Sequence, residues 1–293
     1  MLVFSALVAG SFALGVLAAN LLDPAALNAV RFVIAGALIG GLGLWAGAFR
    51  KHDFEAPWRY AVLGGLFATY FVLMFEGLKT APAVSAAAVF TLTPIMSAVF
   101  GWLLLRQATT GWMAIALTLG AFGALWVIFR ADLAAALAFD LGRGEAIYFC
   151  GCIAHAIYTP LVAKLHRGEN PIAFTFGMLV AGSCLLGLVG ADDLIATDWA
   201  ALPAIVWITI LYTAVAASAA TFLLLQYATL RLPSAKVMAY TYLTPSWVIL
   251  WQIALEGSVP PALIMVGVGV TMLALFMLLR NEEEAGQRAS AGR

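Results

Sequence analysis

The sequence predicts an all-α integral membrane protein with ten transmembrane helices, arranged as two inverted five-helix repeats around a central cavity. Three observations lead to this fold class. Hydrophobic residues make up 64% of the chain and charged residues only 10%, whereas soluble domains carry about 25% charged residues. Apolar runs of bilayer-spanning length recur along the whole chain. One stretch of the first half returns in the second half, 151 residues later.

Ten apolar runs are long enough to cross a bilayer, which takes roughly 20 residues of helix. Glycine and other small residues are spread through all of them, as close helix packing in lipid requires. No charged segment precedes the first run, so we interpret it as a spanning helix rather than a signal peptide. The runs are approximately residues 2–22, 25–48, 58–78, 82–105, 110–129, 144–165, 171–190, 201–228, 234–255 and 260–280.

The fourth and ninth runs carry the repeated stretch, and each is interrupted by the triplet Leu-Thr-Pro. Because proline has no N–H, the carbonyls of Phe90 and Thr241 lose their helical donor. Paired interruptions at matching places in two halves point to a central binding site. We therefore predict that Pro94 and Pro245 are hinges of a transporter. The repeated stretches are residues 82–100, PAVSAAAVFTLTPIMSAVF, and residues 233–251, PSAKVMAYTYLTPSWVILW.

Five crossings per repeat is an odd number, so the second repeat must enter the membrane from the opposite face. Because both repeats belong to one chain, we expect a functional monomer. The polar terminal segment is rich in small residues and is expected to be disordered. The predicted units are a first repeat (1–130), an external connecting loop (131–143), a second, inverted repeat (144–280) and a cytoplasmic tail (281–293).

Basic residues are divided unevenly between the two sides of the membrane. Because basic loops are retained in the cytoplasm, we expect both termini there, in a bacterial inner membrane. The side that we call basic-rich receives Arg50, Lys51, Arg59, Arg106, Lys164, Arg167, Arg231, Arg280, Arg288 and Arg293. The other side, called basic-poor, receives Lys79, Arg130 and Arg143.

Composition and motifs exclude several function classes. Fifteen basic and fifteen acidic residues leave no basic footprint for nucleic acid. The three cysteines lie within apolar runs, which argues against a disulfide framework or a cysteine metal site. Neither an ATP-binding GxxxxGK[ST] nor a hydrolase motif (HExxH or GxSxG) occurs. We therefore predict no enzyme activity, no cofactor and no metal.

Polar groups inside the two interrupted helices are candidate substrate ligands. Tyr240 and Thr244 share one face of the ninth helix with Lys236, at a spacing of four residues. Ser85 and Thr93 share the corresponding face of the fourth helix. We expect these two faces to line a central cavity from opposite sides. The structural alternative is that they pack against neighbouring helices while Lys236 extends to the membrane surface.

The third and sixth helices add further candidates. Tyr148 and His155 share one face of the sixth helix, and Tyr158 lies beside it. His155 either titrates near the middle of the membrane or bonds to a neighbouring helix, and no second metal ligand lies at a suitable spacing. Tyr70 lies near the middle of the third helix. Glu76, nearer its end, either binds a substrate ammonium or a coupling proton, or forms a surface ion pair with Lys79.

A charged side chain at the centre of the bilayer costs about 2.5–3.5 kcal/mol, so Arg31 of the second helix also requires a partner. We interpret Arg31 as a structural residue that binds freed backbone carbonyls or Asp23.

Two five-helix units whose fourth helices contain Leu-Thr-Pro resemble the drug/metabolite transporter superfamily, in its EamA-type branch. Residues 23–38 (DPAALNAVRFVIAGAL) look like the second helix of that family, and residues 92–107 (LTPIMSAVFGWLLLRQ) look like its fourth. Family members commonly end that fourth helix with a glutamate. Here the first repeat has Arg106 or Gln107 at that place, and the second has Glu256.

Within this family the chain looks like the bacterial aromatic amino-acid exporters of the YddG kind. The resemblance implies export of aromatic and other neutral amino acids, or of related metabolites, by alternating access. The implied partners are the small-molecule substrate, membrane lipid and, if transport is coupled, a proton. A proton-coupled efflux pump for cationic drugs, with Glu76 as its carboxylate, is the alternative transporter. A membrane-embedded enzyme or a scaffold is the alternative from another class.

Overall fold

The computed structural model describes residues 1–138, 141–257 and 259–291, with side chains as far as residue 279. No strand occurs within these ranges. Eight helices of the described residues are long and apolar enough to cross a membrane. The predicted class, an all-α multi-pass membrane protein, is therefore confirmed.

The helices follow the predicted apolar runs, with short helices in three connections. A 3₁₀ turn (Lys51–Phe54) precedes α3. Two further segments, a π-helical one (Val215–Ala220) and a 3₁₀ turn (Tyr240–Leu243), interrupt the second half. The helices are α1 (Leu2–Ala18), α2 (Pro24–Trp45), α3 (Trp58–Leu78), α4 (Ala83–Phe90), α5 (Thr93–Leu105), α6 (Gly111–Ile128), α7 (Leu133–Ala138), α8 (Arg143–Leu165), α9 (Pro171–Val189), α10 (Ala191–Ala196), α11 (Ala204–Ala214), α12 (Thr221–Thr229), α13 (Ser234–Ala239), α14 (Thr244–Glu256) and α15 (Ala262–Ala291).

The last helix differs from the sequence-based expectation. The sequence predicts a disordered tail from Asn281, whereas α15 continues as far as Ala291. The first residues of this tail, NEEEA, include several good helix formers, so the backbone can continue the preceding helix.

Boundaries of the interrupted helices repeat at the spacing found in the sequence. α4 begins at Ala83 and α13 at Ser234, which are 151 residues apart. α5 and α14 begin and end 151 residues apart as well, and each is followed by a residue with positive φ. That residue is Arg106 (φ 56°) in the first half and Gly257 (φ 67°) in the second. The two halves therefore share the same local geometry at the break and at the helix end.

Helix starts at equivalent places use the same chemistry. Asp23 precedes Pro24, and its carboxylate accepts the N–H groups of Ala25 and Ala26, at 2.7 and 3.0 Å. At the start of α9, Asn170 precedes a proline in the same way and accepts the N–H of Ile172 at 2.9 Å. An Asx side chain satisfies N–H groups that the helix leaves unpaired, and proline fits the first helical position. These short signals place the helix starts.

Glycines allow neighbouring helices to approach closely. A Cβ atom added at Gly77 of α3 would lie 2.6 Å from the carbonyl oxygen of Gly144 of α8. Gly123 of α6 and Gly267 of α15 meet in the same way, with an added Cβ 2.8 Å from the opposite carbonyl oxygen in each direction. Without water to drive association, helix packing in lipid depends on such close contacts. The bundle is therefore joined between its two halves at small residues.

On the basic-rich side a buried ion pair joins the start of α3 to the α8–α9 connection. Arg59 Nη1 lies 2.5 Å from Glu169 Oε1, and both side chains are 1% exposed. Burial by itself raises the pKa of the Glu169 carboxyl. Hydrogen bonds from the Arg167 N–H and from Arg59 outweigh this effect and hold the pKa below its usual value. The carboxylate is therefore stabilised in its charged form.

Candidate functional site

The break between α4 and α5 is closed by a threonine. The sequence predicts that Pro94 deprives the carbonyl of Phe90 of its donor. In the structure the hydroxyl of Thr93, the residue before the proline, donates to this carbonyl at 2.7 Å. The carbonyl therefore has a side-chain donor in place of the helical N–H that the proline lacks. The side chain next to the proline thus replaces the backbone hydrogen bond that the proline cannot donate.

The second break is closed differently. Tyr240–Leu243 form a 3₁₀ turn, and the carbonyl of Thr241 accepts the N–H of Thr244. Thr93 and Thr241 bring their hydroxyl oxygens to 3.5 Å from each other, so the two breaks meet inside the protein. Thr244 is fully buried, and its hydroxyl has no hydrogen-bond partner among the described residues.

The 3₁₀ turn also changes the predicted face of the ninth helix. A spacing of four residues places side chains on one face only if the α-helix is continuous, whereas a 3₁₀ turn has three residues per turn. Tyr240 lines a small cavity of about 10 Å³ together with Lys236 and Leu278. Thr244 is not among the residues lining that cavity. A 3₁₀ turn therefore stands between Tyr240 and Thr244, where the prediction of a common face assumed a continuous α-helix.

Four of the predicted ligands meet in one aromatic cluster, which consists of Phe67, Tyr70, Tyr148, His155 and Tyr158. The hydroxyl oxygens of Tyr70 and Tyr148 lie 3.0 Å apart. The Phe67 ring centroid is 4.1 Å from that of Tyr158, and the Tyr70 centroid is 4.6 Å from that of His155. All five side chains are buried. The cluster offers apolar ring faces next to hydroxyl and imidazole groups.

A cavity of about 10 Å³ adjoins this cluster, close to the volume that one water molecule needs. Its walls include Tyr70, His155, Ser11 and Thr221, which come from α3, α8, α1 and α12. His155 Nδ1 and Ser11 Oγ are buried and lack a hydrogen-bond partner within the described part of the chain. Buried polar atoms are normally satisfied, so this cavity presents two unused polar groups in an apolar surrounding.

A larger cavity of about 340 Å³ lies between α4 and α14 on the basic-poor side. Ser85 of α4, Arg130 and Glu256 provide polar and charged groups in its wall. Most of the remaining lining is apolar, as at Val84 and Val248. The cavity therefore combines an apolar body with charges of both signs.

Ser85 connects this larger cavity to a residue that sequence reasoning missed. Its hydroxyl donates to Glu145 Oε1 at 2.8 Å, and the Glu145 residue is 3% exposed. Glu145 lies in the first turn of α8, where the helix dipole favours a carboxylate. Its position at the start of an apolar run resembles an ordinary helix-end charge, so the sequence carries little signal for its burial.

Glu76 lies apart from both the aromatic cluster and the larger cavity. Its carboxylate is 2.6 Å from the ammonium of Lys79, one turn further along, and the two side chains are 38% and 30% exposed. This is the surface ion pair that the sequence offered as one of two interpretations. Among the described residues, no group of acidic, histidine and cysteine side chains could hold a metal ion.

Arg31 is fully buried and holds the π-helical segment before α12. It donates to the carbonyl of Ala217 at 2.9 Å and to Ser218 Oγ at 2.8 Å. Its guanidinium also lies 3.6 Å from the centre of the Phe71 ring. π-Helical turns expose carbonyl groups that the regular helix would satisfy. Arg31 therefore binds a backbone carbonyl of the π-helical segment. This agrees with the sequence-based interpretation of Arg31 as a structural residue.

Comparisons with known proteins agree with this geometry. The EamA-like transporter family matches residues 1–129 and again residues 142–280. The uncharacterized transporter YyaM of Bacillus subtilis (strain 168) is 24% identical over 214 residues, which are 72% of this chain and 70% of the relative. A protein of known crystal structure has a TM-score of 0.72 at 18% identity and covers 94% of this chain and 95% of its own. At that identity the likeness shows a shared fold.

Proposed function

The chain belongs to the EamA-like transporter family, and from this premise we propose that it exports amino acids by alternating access. The proposed substrates are aromatic and other neutral amino acids and related small metabolites. The proposed location is a bacterial inner membrane, with a monomer whose termini are both cytoplasmic. Transport across a membrane follows from the family, whereas the substrate rests on the arguments below.

The observation that carries the substrate proposal is the 340 Å³ cavity on the basic-poor side. Sites for small molecules range from about 300 to 1,000 Å³, so this cavity suits a single small metabolite. Arg130 and Glu256 line it together. A zwitterion has one charge for each of them, its carboxylate for Arg130 and its ammonium for Glu256. The apolar remainder of the wall suits an uncharged side chain.

The aromatic cluster provides a second binding position for the substrate, nearer the middle of the bundle. Ala13 lines the large cavity, and Ser11, two residues away on α1, lines the small one. Phe12 lies between them in sequence, and its ring contacts Phe90 and Tyr148 at centroid distances of 5.9 and 5.8 Å. We propose that movement of these rings joins the two cavities. Tyr70, Tyr148, His155 and Tyr158 then contact the substrate.

Ten crossings in two inverted repeats are part of the same proposal. Support comes from the helix boundaries that recur 151 residues apart and from the family match to each half. Helix contacts support it too, because α3 packs on α8 as α11 packs on α1, and α4 packs on α14 as α13 packs on α5. We propose that Pro94 and Pro245 are the hinges, since the two breaks meet at Thr93 and Thr241.

Efflux of cationic drugs is less well supported. Such a pump needs a membrane carboxylate that exchanges a proton for the drug, and Glu76 was the candidate. Because Glu76 already pairs with Lys79 and is partly exposed, it is poorly placed for that exchange. An enzyme is disfavoured by the family and by its transporter relative.

The test is uptake of labelled phenylalanine, threonine and methionine into liposomes that contain the purified protein, with and without a pH gradient. We expect saturable flux that unlabelled amino acids compete for. Glu256→Gln and Arg130→Asn should each reduce flux at least tenfold, because each removes a charge that the zwitterion requires. Asparagine is chosen because Arg130 has a positive φ of 55°, which asparagine tolerates.

Glu76→Gln is the matched control, since it removes a carboxylate outside the cavity and should leave amino-acid flux unchanged. All variants are first compared by size-exclusion chromatography to establish that they are folded. Absence of flux for every amino acid, with folded protein, would overturn the substrate proposal. Flux only with a pH gradient would retain it and add a coupled proton.

A further inference from the structure

The end of α5 on the basic-rich side folds back on itself. Arg106 follows this helix with a φ of 56°, a conformation that most residues avoid. This turn directs the N–H of Gln107 to the carbonyl of Gly101, at 3.2 Å. The side chain of Gln107 is thereby brought beside the helix and toward the second half of the chain.

Gln107 then joins the two halves of the protein. Its Oε1 atom accepts the N–H of Ser234 at 3.1 Å. Ser234 is the first residue of α13, and the first N–H groups of a helix have no partner within it. A side chain at the end of the first half's broken helix thus caps the start of the broken helix of the second half.

On the other side of the membrane, the equivalent joint between the two halves contains a cavity. There, the end of α14 faces the start of α4, the helix ends that correspond to those of α5 and α13. The 340 Å³ cavity lies at this joint, lined by Ala83 at the start of α4 and by Glu256 at the end of α14. One joint is closed by Gln107, and its counterpart forms the cavity.

We propose that Gln107 is the gate residue of the basic-rich side. Its hydrogen bond to Ser234 holds that side closed while the cavity is open on the basic-poor side. The bond must break when the cavity opens toward the basic-rich side. This inference rests on the proposed alternating access, and it assigns the closing contact to one residue. Gln107 acts by positioning the helices and does not bind the substrate.

Gly101 provides a way to disturb this contact without changing Gln107. A Cβ added at Gly101 would lie 2.7 Å from Gln107 Oε1 and 3.6 Å from the Ser234 Cβ. The first distance is too short, so the Gln107 side chain must move. Gly101→Ala is therefore expected to open the same gate as Gln107→Ala. Gly41→Ala is the matched control, because nothing lies within 4 Å of its added Cβ.

The test measures the accessibility of two reporter cysteines in protein whose three native cysteines have been replaced by serine or alanine. Ala83→Cys reports on the large cavity. Ala239→Cys reports on the basic-rich side, where Ala239 is buried and lines the small cavity beside Lys236 and Tyr240. Rates of reaction with a water-soluble maleimide are measured without any substrate, in the full-length protein.

We expect Gln107→Ala and Gly101→Ala to raise the labelling rate of Ala239→Cys and to lower that of Ala83→Cys. A single hydrogen bond shifts a two-state equilibrium by between about twofold and tenfold, which sets the size of both changes. Gly41→Ala should change neither rate. Unfolding would raise both rates together, so opposite changes distinguish gate opening from loss of the fold.

Unchanged rates in both gate variants, or a change in the same direction at both reporters, would overturn the assignment of Gln107. The measurement does not depend on the substrate. If the labelling behaves as expected but no amino acid is transported, the substrate proposal fails and the gate stands. If amino acids are transported while labelling is insensitive to Gln107, the gate fails and the proposed function stands.

Discussion

Replacing Glu169 by alanine is expected to lower the stability of the protein strongly, because it leaves the guanidinium of Arg59 buried without a charge partner. Breaking a buried ion pair by removing one member costs about 3–5 kcal/mol. Arg59 also donates to the carbonyls of Leu165 and Ala56, at 2.7 and 3.3 Å. These two bonds remain in the variant, so the expected loss is near the lower end, about 3 kcal/mol.

The assay is the apparent melting temperature in one detergent at pH 7 and a fixed heating rate. Each kcal/mol corresponds to about 2–3 °C for a chain of this size, so Glu169→Ala should melt about 6–9 °C lower. Glu76→Ala is the control, because the pair between Glu76 and Lys79 is partly exposed. Such pairs contribute about 0–1 kcal/mol, which corresponds to less than about 3 °C.

A double variant separates the unpaired charge from other effects of the substitution. Arg59→Met together with Glu169→Ala removes both charges and leaves an apolar side chain of similar length. Replacing a buried pair by apolar residues is often neutral, so the double variant should melt above Glu169→Ala alone. The reasoning is refuted if Glu169→Ala and Glu76→Ala melt within about 3 °C of each other, or if the double variant is no more stable than Glu169→Ala.

Three further predictions follow from the same contacts. The pKa of Glu169 is lowered from 4.5 in the folded protein. The ionised carboxylate therefore stabilises the fold above that pH, and this stabilisation is lost as the pH falls through the lower folded pKa. The difference in melting temperature between the native protein and Glu169→Gln should accordingly shrink below about pH 4.5. Arg31→Lys should destabilise by about 3 kcal/mol, since a lysine ammonium cannot reproduce the directed bonds to the π-helical segment; a shift in melting temperature below about 3 °C would contradict this. Gly77→Ala should prevent α3 from packing on α8, because its Cβ would lie 2.6 Å from a backbone oxygen, and should abolish the monodisperse peak in size-exclusion chromatography, whereas Gly41→Ala should retain it.

The breaks in the fourth and ninth helices show what a local sequence pattern can predict and what it cannot. The Leu-Thr-Pro triplets locate both interruptions, because a proline prevents a helical hydrogen bond wherever it stands. They do not specify how the lost bonds are replaced. The hydroxyl of Thr93 does this in one break and a 3₁₀ turn in the other. Since that turn alters the spacing of side chains, a spacing of four residues is not enough to place Tyr240 and Thr244 on one face.

The aromatic cluster is the opposite case. Tyr148 and His155 lie on one face of a single α-helix, so their proximity could be predicted from spacing alone. Their contact with Tyr70 depends on how α3 packs against α8, which the glycines of both helices permit. Glu145 was missed for a related reason. Its burial and its bond to Ser85 come from the neighbouring helix, and nothing in the sequence around it indicates that neighbour.

By itself the sequence determined the membrane class, the helix positions, the paired breaks and the family, because apolar length, proline chemistry and motif spacing are local properties. Only the tertiary structure decided where the cavities lie and which residues surround them. The two joints between the halves have equivalent helix ends, yet a hydrogen bond to Gln107 spans one and a cavity lies at the other. The difference between the two joints depends on how helices far apart in sequence pack against each other. A single hydrogen bond or glycine is enough to favour one packing arrangement over another.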